Sequence, residues 1–282
     1  GLTVTDDGFV PLLGRFTDGN RSDSKENHFN LTRVAQTMPN PSKVLVVADS
    51  KLFSGANLQN AMDHGLNVLT LLPKTVGIWD TTFGLLKKQL ISAPILREVV
   101  DIIEDEDEAV ETVTDNWRGL STEVRYQWTD EEKERHEIDL RALVVYSTSL
   151  ERVKIKSRKK LYDREKKSLA ILDKRFVKKR FHCQSDAQAA AEEALKNGKQ
   201  LFISSIKIVK REELKKRKQR GRPKKEALTP EKEVFYQIVL IHKENKTEWK
   251  NWLLRECSFI LVTFPNPAAT DSEILNGYKN QT

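Results

Sequence analysis

Asp49 ends an apolar run. In "VLVVADSKLFS", Val44–Val47 are four aliphatic residues with no polar alternation, the pattern of a strand covered on both faces. The carboxylate stands just past them, between the small residues Ala48 and Ser50. Held rigidly there, it has room for a hydrated divalent cation, and ligands of open α/β sheets collect at the carboxyl ends of strands. The same residue suits the cap of the helix that follows through Ala56, Leu58, Ala61 and Met62. Both readings stay open on the residues alone. Metal-assisted attack on a phosphodiester needs several carboxylates converging from separate elements, because two Mg²⁺ or Mn²⁺ ions clamp the attacking and leaving oxygens. One acid does not suffice. Lys51, two residues on, is a candidate contact for a phosphate.

Two basic stretches suggest what such a phosphate would belong to. "KQRGRPKK" contains Arg220-Gly221-Arg222-Pro223-Lys224, the core of an AT-hook, in which an extended Arg-Gly-Arg lies in a narrow A·T minor groove. Its plainer reading is a solvated basic linker between strands at 201–209 and 234–242. The second stretch is one long helix over Ser149–Phe181. Leu161, Leu169, Leu172 and Phe176 keep an apolar stripe at helical spacing. Fourteen Lys and Arg, among them Arg158, Lys159 and Lys160, stand between Glu151 and Phe181 against Glu151, Asp163, Glu165 and Asp173. That excess of cations fits a DNA-tracking surface. A leucine-packed helix with a solvated outer side would share the pattern.

The elements that must position these groups read as follows. The 282 residues can bury one large core or two modest ones. A charged fraction of 32% and a net charge of +7 favour a polyanionic partner. Cys183 and Cys257 are the only cysteines and lie far apart, which speaks against a disulfide framework or a structural zinc site and fits a reducing compartment. No apolar run is long enough to span a membrane.

From the start, "GLTVTDDGFVPLLGRF" reads as a hairpin turned by Asp6-Asp7-Gly8. A helix follows from about Lys25 to Gln36, then the Val44 strand, a helix to His64 stopped by Gly65, and the strand "LNVLTLLPKT". This order is α/β in character. Beyond it come an acidic run, Ile102–Glu111, expected as a solvated face or loop, and a clear strand, Arg141–Ser147. After the basic helix, "SDAQAAAEEALKNGK" reads as a short helix with a capping box of Ser185 and Gln188 and a stop at Gly198. Thr270 and Glu273 form another capping box at the closing helix.

Taken together, "LTVTDDGFVPLLGRFTDGNRSD", "VVADSKLFSGANLQNAMDHGLNVLTLLPKT", "LVVYS", "FHCQSDAQAA" and "SEILNGYKNQT" resemble a DDE transposase of bacterial insertion sequences, of the insertion-sequence-four type. The resemblance implies an RNase H-like mixed-sheet α/β core interrupted by a large α+β insertion. It divides the chain into a partial core at 1–77, an insertion at 78–265 and the start of a helix at 266–282. Asp49 matches the second catalytic acid and a metal ligand, and Tyr278 matches the tyrosine of the closing helix. Gln281 stands where the family has arginine, against a phosphate contact from that position. "GNRSD", Gly19–Asp23, matches a family loop, and Asp18 beside it is a further carboxylate.

The family's first Asp is expected upstream of Gly1 and its Glu roughly two helical turns past Tyr278, so the chain is expected to be a fragment, inactive on its own. The intact enzyme implied would use Mg²⁺ or Mn²⁺ to cut and join DNA. It would hold terminal repeats and target DNA as a homodimer in the bacterial cytoplasm, associated with the nucleoid and not with a membrane. The competing class is a non-catalytic DNA-binding protein or an inactive transposase remnant.

Overall fold

The computed structural model describes residues 2–5, 11–14, 22–104, 110–196, 201–214, 232–265 and 268–280, with the backbone alone at 2, 101–104, 110 and 111. The expected Asp6-Asp7-Gly8 turn, Asp18, most of "GNRSD", the Gly198 stop, Arg220–Lys224 and Gln281 lie outside the described residues. The chain forms two compact units, one of residues 1–153 with 254–282, the other of residues 154–253.

The first unit opens with β1 (Leu2–Val4) and β2 (Pro11–Gly14), paired antiparallel. Helix α1 (Asp23–Thr37) carries acids in its first turn and buries Leu31 and Val34. It stops before Pro39, which disfavours helical backbone in the residue ahead of it. Then β3 (Leu45–Ala48), α2 (Gly55–Asp63) and β4 (Asn67–Leu71) make a strand–helix–strand unit with parallel strands. Gly65 takes φ +64, the left-handed conformation a residue just past a helix commonly needs. After α3 (Gly77–Leu86) come three long antiparallel strands, β5 (Ile95–Glu104), β6 (Val110–Thr129) and β7 (Arg135–Ser147).

Helix α4 (Thr148–Lys178) leads out of this unit. The second unit holds the rest of α4, then α5 (Gln184–Leu195), the hairpin strands β8 (Phe202–Leu214) and β9 (Lys232–Glu244), and α6 (Lys246–Glu256) up to Leu253. Strand β10 (Ser258–Phe264) and helix α7 (Asp271–Lys279) return to the first unit.

The first unit's six-stranded sheet runs β3-β4-β10-β7-β6-β5. It is mixed, because β3 and β4 are parallel while the other neighbours are antiparallel. Side chains alternate between its faces. Leu140, Ala142, Val144, Ile260 and Val262 pack with Trp79 and Phe83 of α3, and Val68 with Leu31 and Val34 of α1. On the opposite face Leu69, Leu143, Val145 and Leu261 pack with Ile274 and Leu275 of α7. The central strands are therefore covered on both sides, which is why Ala142–Val145 is a run without polar residues.

The α/β character expected from the sequence is present, in a mixed sheet. Two local expectations need correction. Residues 95–104 and 110–129 form two long strands, so Ile102–Glu104 and Val110–Glu111 of the acidic run belong to the paired strands β5 and β6. Helix α5 begins at Gln184, and its cap is the Cys183 thiol, which accepts from the Asp186 N–H at 3.3 Å, in place of Ser185. Strands β5, β6, β7 and β10 share the sheet with β3 and β4.

In the second unit, α5 and the last turns of α4 cover one face of the β8–β9 hairpin. Phe176, Phe181, Ala187, Ala191 and Ile238 form that core. A second cluster joins Leu169 to Leu201 and Phe202, and the buried Glu165 carboxylate accepts the Leu201 N–H at 3.1 Å. His242 bridges Ser204 at 2.7 Å and Asp173 at 3.1 Å, tying both strands to α4. Trp249 and Trp252 pack against each other at 5.8 Å.

Candidate functional site

Asp49 stands exposed one residue beyond β3. Its Oδ1 accepts the Lys51 N–H at 2.9 Å, a local turn stabilised by a side-chain acceptor. Its carbonyl oxygen accepts the Thr70 hydroxyl at 2.6 Å and the Leu52 N–H at 3.2 Å. Thr70 is fully buried on β4, so the loop that carries Asp49 is anchored to the neighbouring parallel strand. The capping reading is overturned. Helix α2 begins at Gly55, and Ser54 caps it by accepting the Asn57 N–H at 3.3 Å. Six residues of loop separate β3 from α2, and the capping position falls on the last of them.

Helix α7 comes back to the same end of the sheet. Its capping box is formed as expected: Thr270 accepts from the Glu273 N–H at 3.3 Å, and the Glu273 carboxylate accepts from the Thr270 N–H at 2.7 Å. These bonds hold the Glu273 carboxyl below its usual range. Arg141 of β7 clamps the helix start, donating to the Ala269 carbonyl at 2.6 Å and to Asp271 at 2.7 Å. Arg97 of β5 donates to Asn276 at 3.2 Å and Asn280 at 3.3 Å. So fixed, α7 packs Tyr278, half-buried, against the cluster that holds Leu69, Leu143, Leu261, Ile274 and Leu275. Burial raises the phenol pKa, and the negative charge of Asp49 raises it further. The Asp49 carboxylate thus lies within electrostatic reach of Tyr278.

A cleft of about 600 Å³ opens in the first unit, lined by residues that follow β3 and β4. Ser24, Ser50, Lys51, Phe53, Lys74, Trp79 and Phe259 are among the residues that line it. Lys74 and Arg255 lie over the Trp79 ring at 5.3 and 4.9 Å. Lys74 donates to the Arg255 carbonyl at 2.9 Å and pairs with Glu256 at 3.7 Å, so the lining combines Lys51 and hydroxyl groups with an aromatic floor.

A two-ion site does not fit what is present. Among the described residues, the only group of three ligand-bearing side chains within mutual reach is Asp130, Glu134 and His136, at the β6–β7 turn. There His136 Nε2 lies 2.7 Å from Asp130, and its ring stacks on Trp128 at 5.4 Å. Asp49 belongs to no such group of three among those residues, and a single carboxylate does not hold two Mg²⁺ ions.

The basic candidates are in the second unit, and they divide. Arg158 is on the packed side of α4, with its guanidinium over Trp252 at 4.3 Å. Lys159 and Lys160 are exposed. Lys160, Asp163, Arg164, Lys167, Ser168 and Ile171 line a shallow groove of about 530 Å³ along one outer face of the helix. Three of these six side chains are cations at spacings that align on a helix.

Sequence reading passed over one strong signal, the division of charge between the units. Residues 154–253 hold 30 Lys and Arg against 13 Asp and Glu. The remainder holds 18 against 28. The modest overall charge of +7 hides a strongly basic unit joined to an acidic one. Counting charge segment by segment would have found it.

No protein-family model matches the chain, and no curated protein matches it.

Proposed function

We propose that this chain is a DNA-binding core of the DDE transposase kind. In this reading the first unit is an RNase H-like core that carries Asp49 as one of the catalytic acids, and the basic second unit grips duplex DNA. The observation that carries the reading is the charge division: a unit of 100 residues with more than twice as many cations as anions is built for a polyanion.

The arrangement around Asp49 supports the transposase part. The acid lies past the end of a strand in parallel pairing, and α7 sets Tyr278 in its field. Strand β3 also has no partner on its outer side among the described residues, although it is wholly aliphatic and Leu45 is 49% exposed. An aliphatic edge of that kind is open to pairing with another strand. DNA binding without cleavage is the second reading, favoured because Asp49 belongs to no group of three metal-ligating side chains among the described residues.

The test is duplex binding by the purified chain, measured from low to moderate salt with and without Mg²⁺. The expected result is affinity that falls about a thousandfold between roughly 50 and 200 mM salt, with no Mg²⁺-dependent cleavage by this chain alone. Salt-independent binding, or none, would overturn the DNA-binding reading. Cleavage that survives Asp49→Asn would remove the catalytic assignment.

A further inference from the structure

The β8–β9 hairpin has two faces of different character. Their register pairs Ile203 with Lys243, Ser205 with Ile241, and Lys207 with Val239. Alternation sends the intervening residues, Phe202, Ser204, Ile206, Leu240 and His242, toward the helices, where they pack or bond to α4. The three rungs named first point the other way, and all six of their side chains are exposed. Ile203, Val239 and Ile241 are 57%, 38% and 43% exposed. Each rung sets one aliphatic side chain beside one lysine or serine, and none of the six is an acid.

We infer that this outward face of β8–β9 is a DNA contact surface that enters the major groove. The groove of B-form DNA admits a helix or a two-stranded β-ribbon, and a ribbon reads base edges with the side chains of one face. Lysine donates to guanine O6 and N7, a serine hydroxyl bonds to either base type, and branched aliphatic groups meet the thymine methyl. The face holds those side chains on adjacent rungs of a ribbon fixed from behind by α4 and α5.

The charge of the unit selects the occupant. A second copy docked face to face would bring Lys207 and Lys243 of both chains together with no acid on the six positions to offset them. DNA supplies the missing negative charge. This inference rests on the proposal that the second unit binds DNA, and it is independent of any chemistry at Asp49.

The test compares the full chain with the double variant Lys207→Ala/Lys243→Ala on short duplexes, untreated or methylated at guanine N7, a major-groove atom. Both lysines are exposed, so the substitutions leave folding intact, and circular dichroism checks that. The expected result is about tenfold or greater weakening in the variant. Methylation should weaken the unaltered chain and leave the variant little changed. Equal binding by variant and unaltered chain would overturn the ribbon surface while DNA binding itself stands, as would indifference of the unaltered chain to methylation. No binding by either chain would remove the DNA-binding proposal beneath it. A concentration-dependent dimer that Ile241→Glu dissociates, with duplex affinity unchanged, would make the face a contact between copies and overturn the inference.

Discussion

Tyr278 on α7 lies in the electrostatic field of the Asp49 carboxylate, although most of the chain runs between them. Burial is the larger cause of the raised phenol pKa, and Asp49 adds to it. Asp49→Asn should therefore lower the Tyr278 pKa part of the way and leave it above the ordinary tyrosine range. Tyrosinate absorbance, with Tyr278→Phe to identify the transition, measures this. The stability consequence has a definite sign. A phenol whose pKa is raised by folding contributes stability that is complete below its unfolded pKa and is lost as pH rises through the folded value. The Asp49→Asn protein should lose less stability across that alkaline window. No change in the Tyr278 titration would mean that the two groups do not interact.

The loop between β3 and α2 separates two side-chain roles that lie five residues apart. Ser54→Ala removes the helix cap and should cost about 1 kcal/mol in thermal or denaturant unfolding. Asp49→Asn keeps an acceptor for the Lys51 N–H and should change stability by less than about 0.5 kcal/mol. If Asp49→Asn destabilised the chain as much as Ser54→Ala, the carboxylate would have a structural role that its single bond to Lys51 does not account for.

Asp115 on β6 is 3% exposed, and it accepts from Arg152 at 2.5 Å and from the Thr148 hydroxyl at 3.2 Å. Both donors lie in the first turns of α4, so these bonds tie the start of the helix to β6. Removing one partner of a buried pair leaves the other uncompensated. Arg152 keeps 38% of its side chain in solvent, which moderates the penalty. Asp115→Ala should cost about 2–3 kcal/mol, read from urea unfolding, while Arg125→Ala in the exposed Arg125–Asp139 pair should cost less than about 1 kcal/mol. Equal effects would mean that burial does not distinguish the two pairs.

Much of the first unit was legible because its central strands are covered on both faces. Asn67–Leu71 and Arg141–Ser147 carry the apolar runs of buried strands, whereas Val44–Val47, equally apolar, lies at the sheet edge with Leu45 49% exposed. The β5–β6 pair was missed for the opposite reason. Val124, Tyr126 and Trp128 alternate with Glu123, Arg125 and Gln127, so no apolar run announces them, and the acidic stretch reads as loop. The closing helix was legible from its capping box, whose two bonds are local. The approach of Tyr278 to Asp49 was not, because it depends on Arg141 and Arg97 reaching α7 from distant strands. The thiol cap of Cys183 was hidden by a better capping residue, Ser185, two positions on.

The cations of α4 divide into packed and exposed ones, and the division predicts which of them DNA feels. Arg158 stacks on Trp252, so Arg158→Ala should cost about 1 kcal/mol of stability and change the salt dependence of duplex binding little. Lys160, Arg164 and Lys167 share an outer groove with a single acid, Asp163. Their replacement by Ala should leave the unfolding transition within about 0.5 kcal/mol. Each phosphate contact so lost should reduce the slope of log K against log salt by about one. Affinity should fall alike on A·T-rich and G·C-rich duplexes, since phosphates carry no sequence. Replacing both Arg220 and Arg222 by Ala separates a groove contact from this uniform term, because insertion into a narrow minor groove makes the loss larger on A·T-rich DNA. A slope unchanged by the α4 triple variant, in a chain that still binds duplex, would show that the helix turns its cations to solvent and that DNA is held elsewhere on the basic unit.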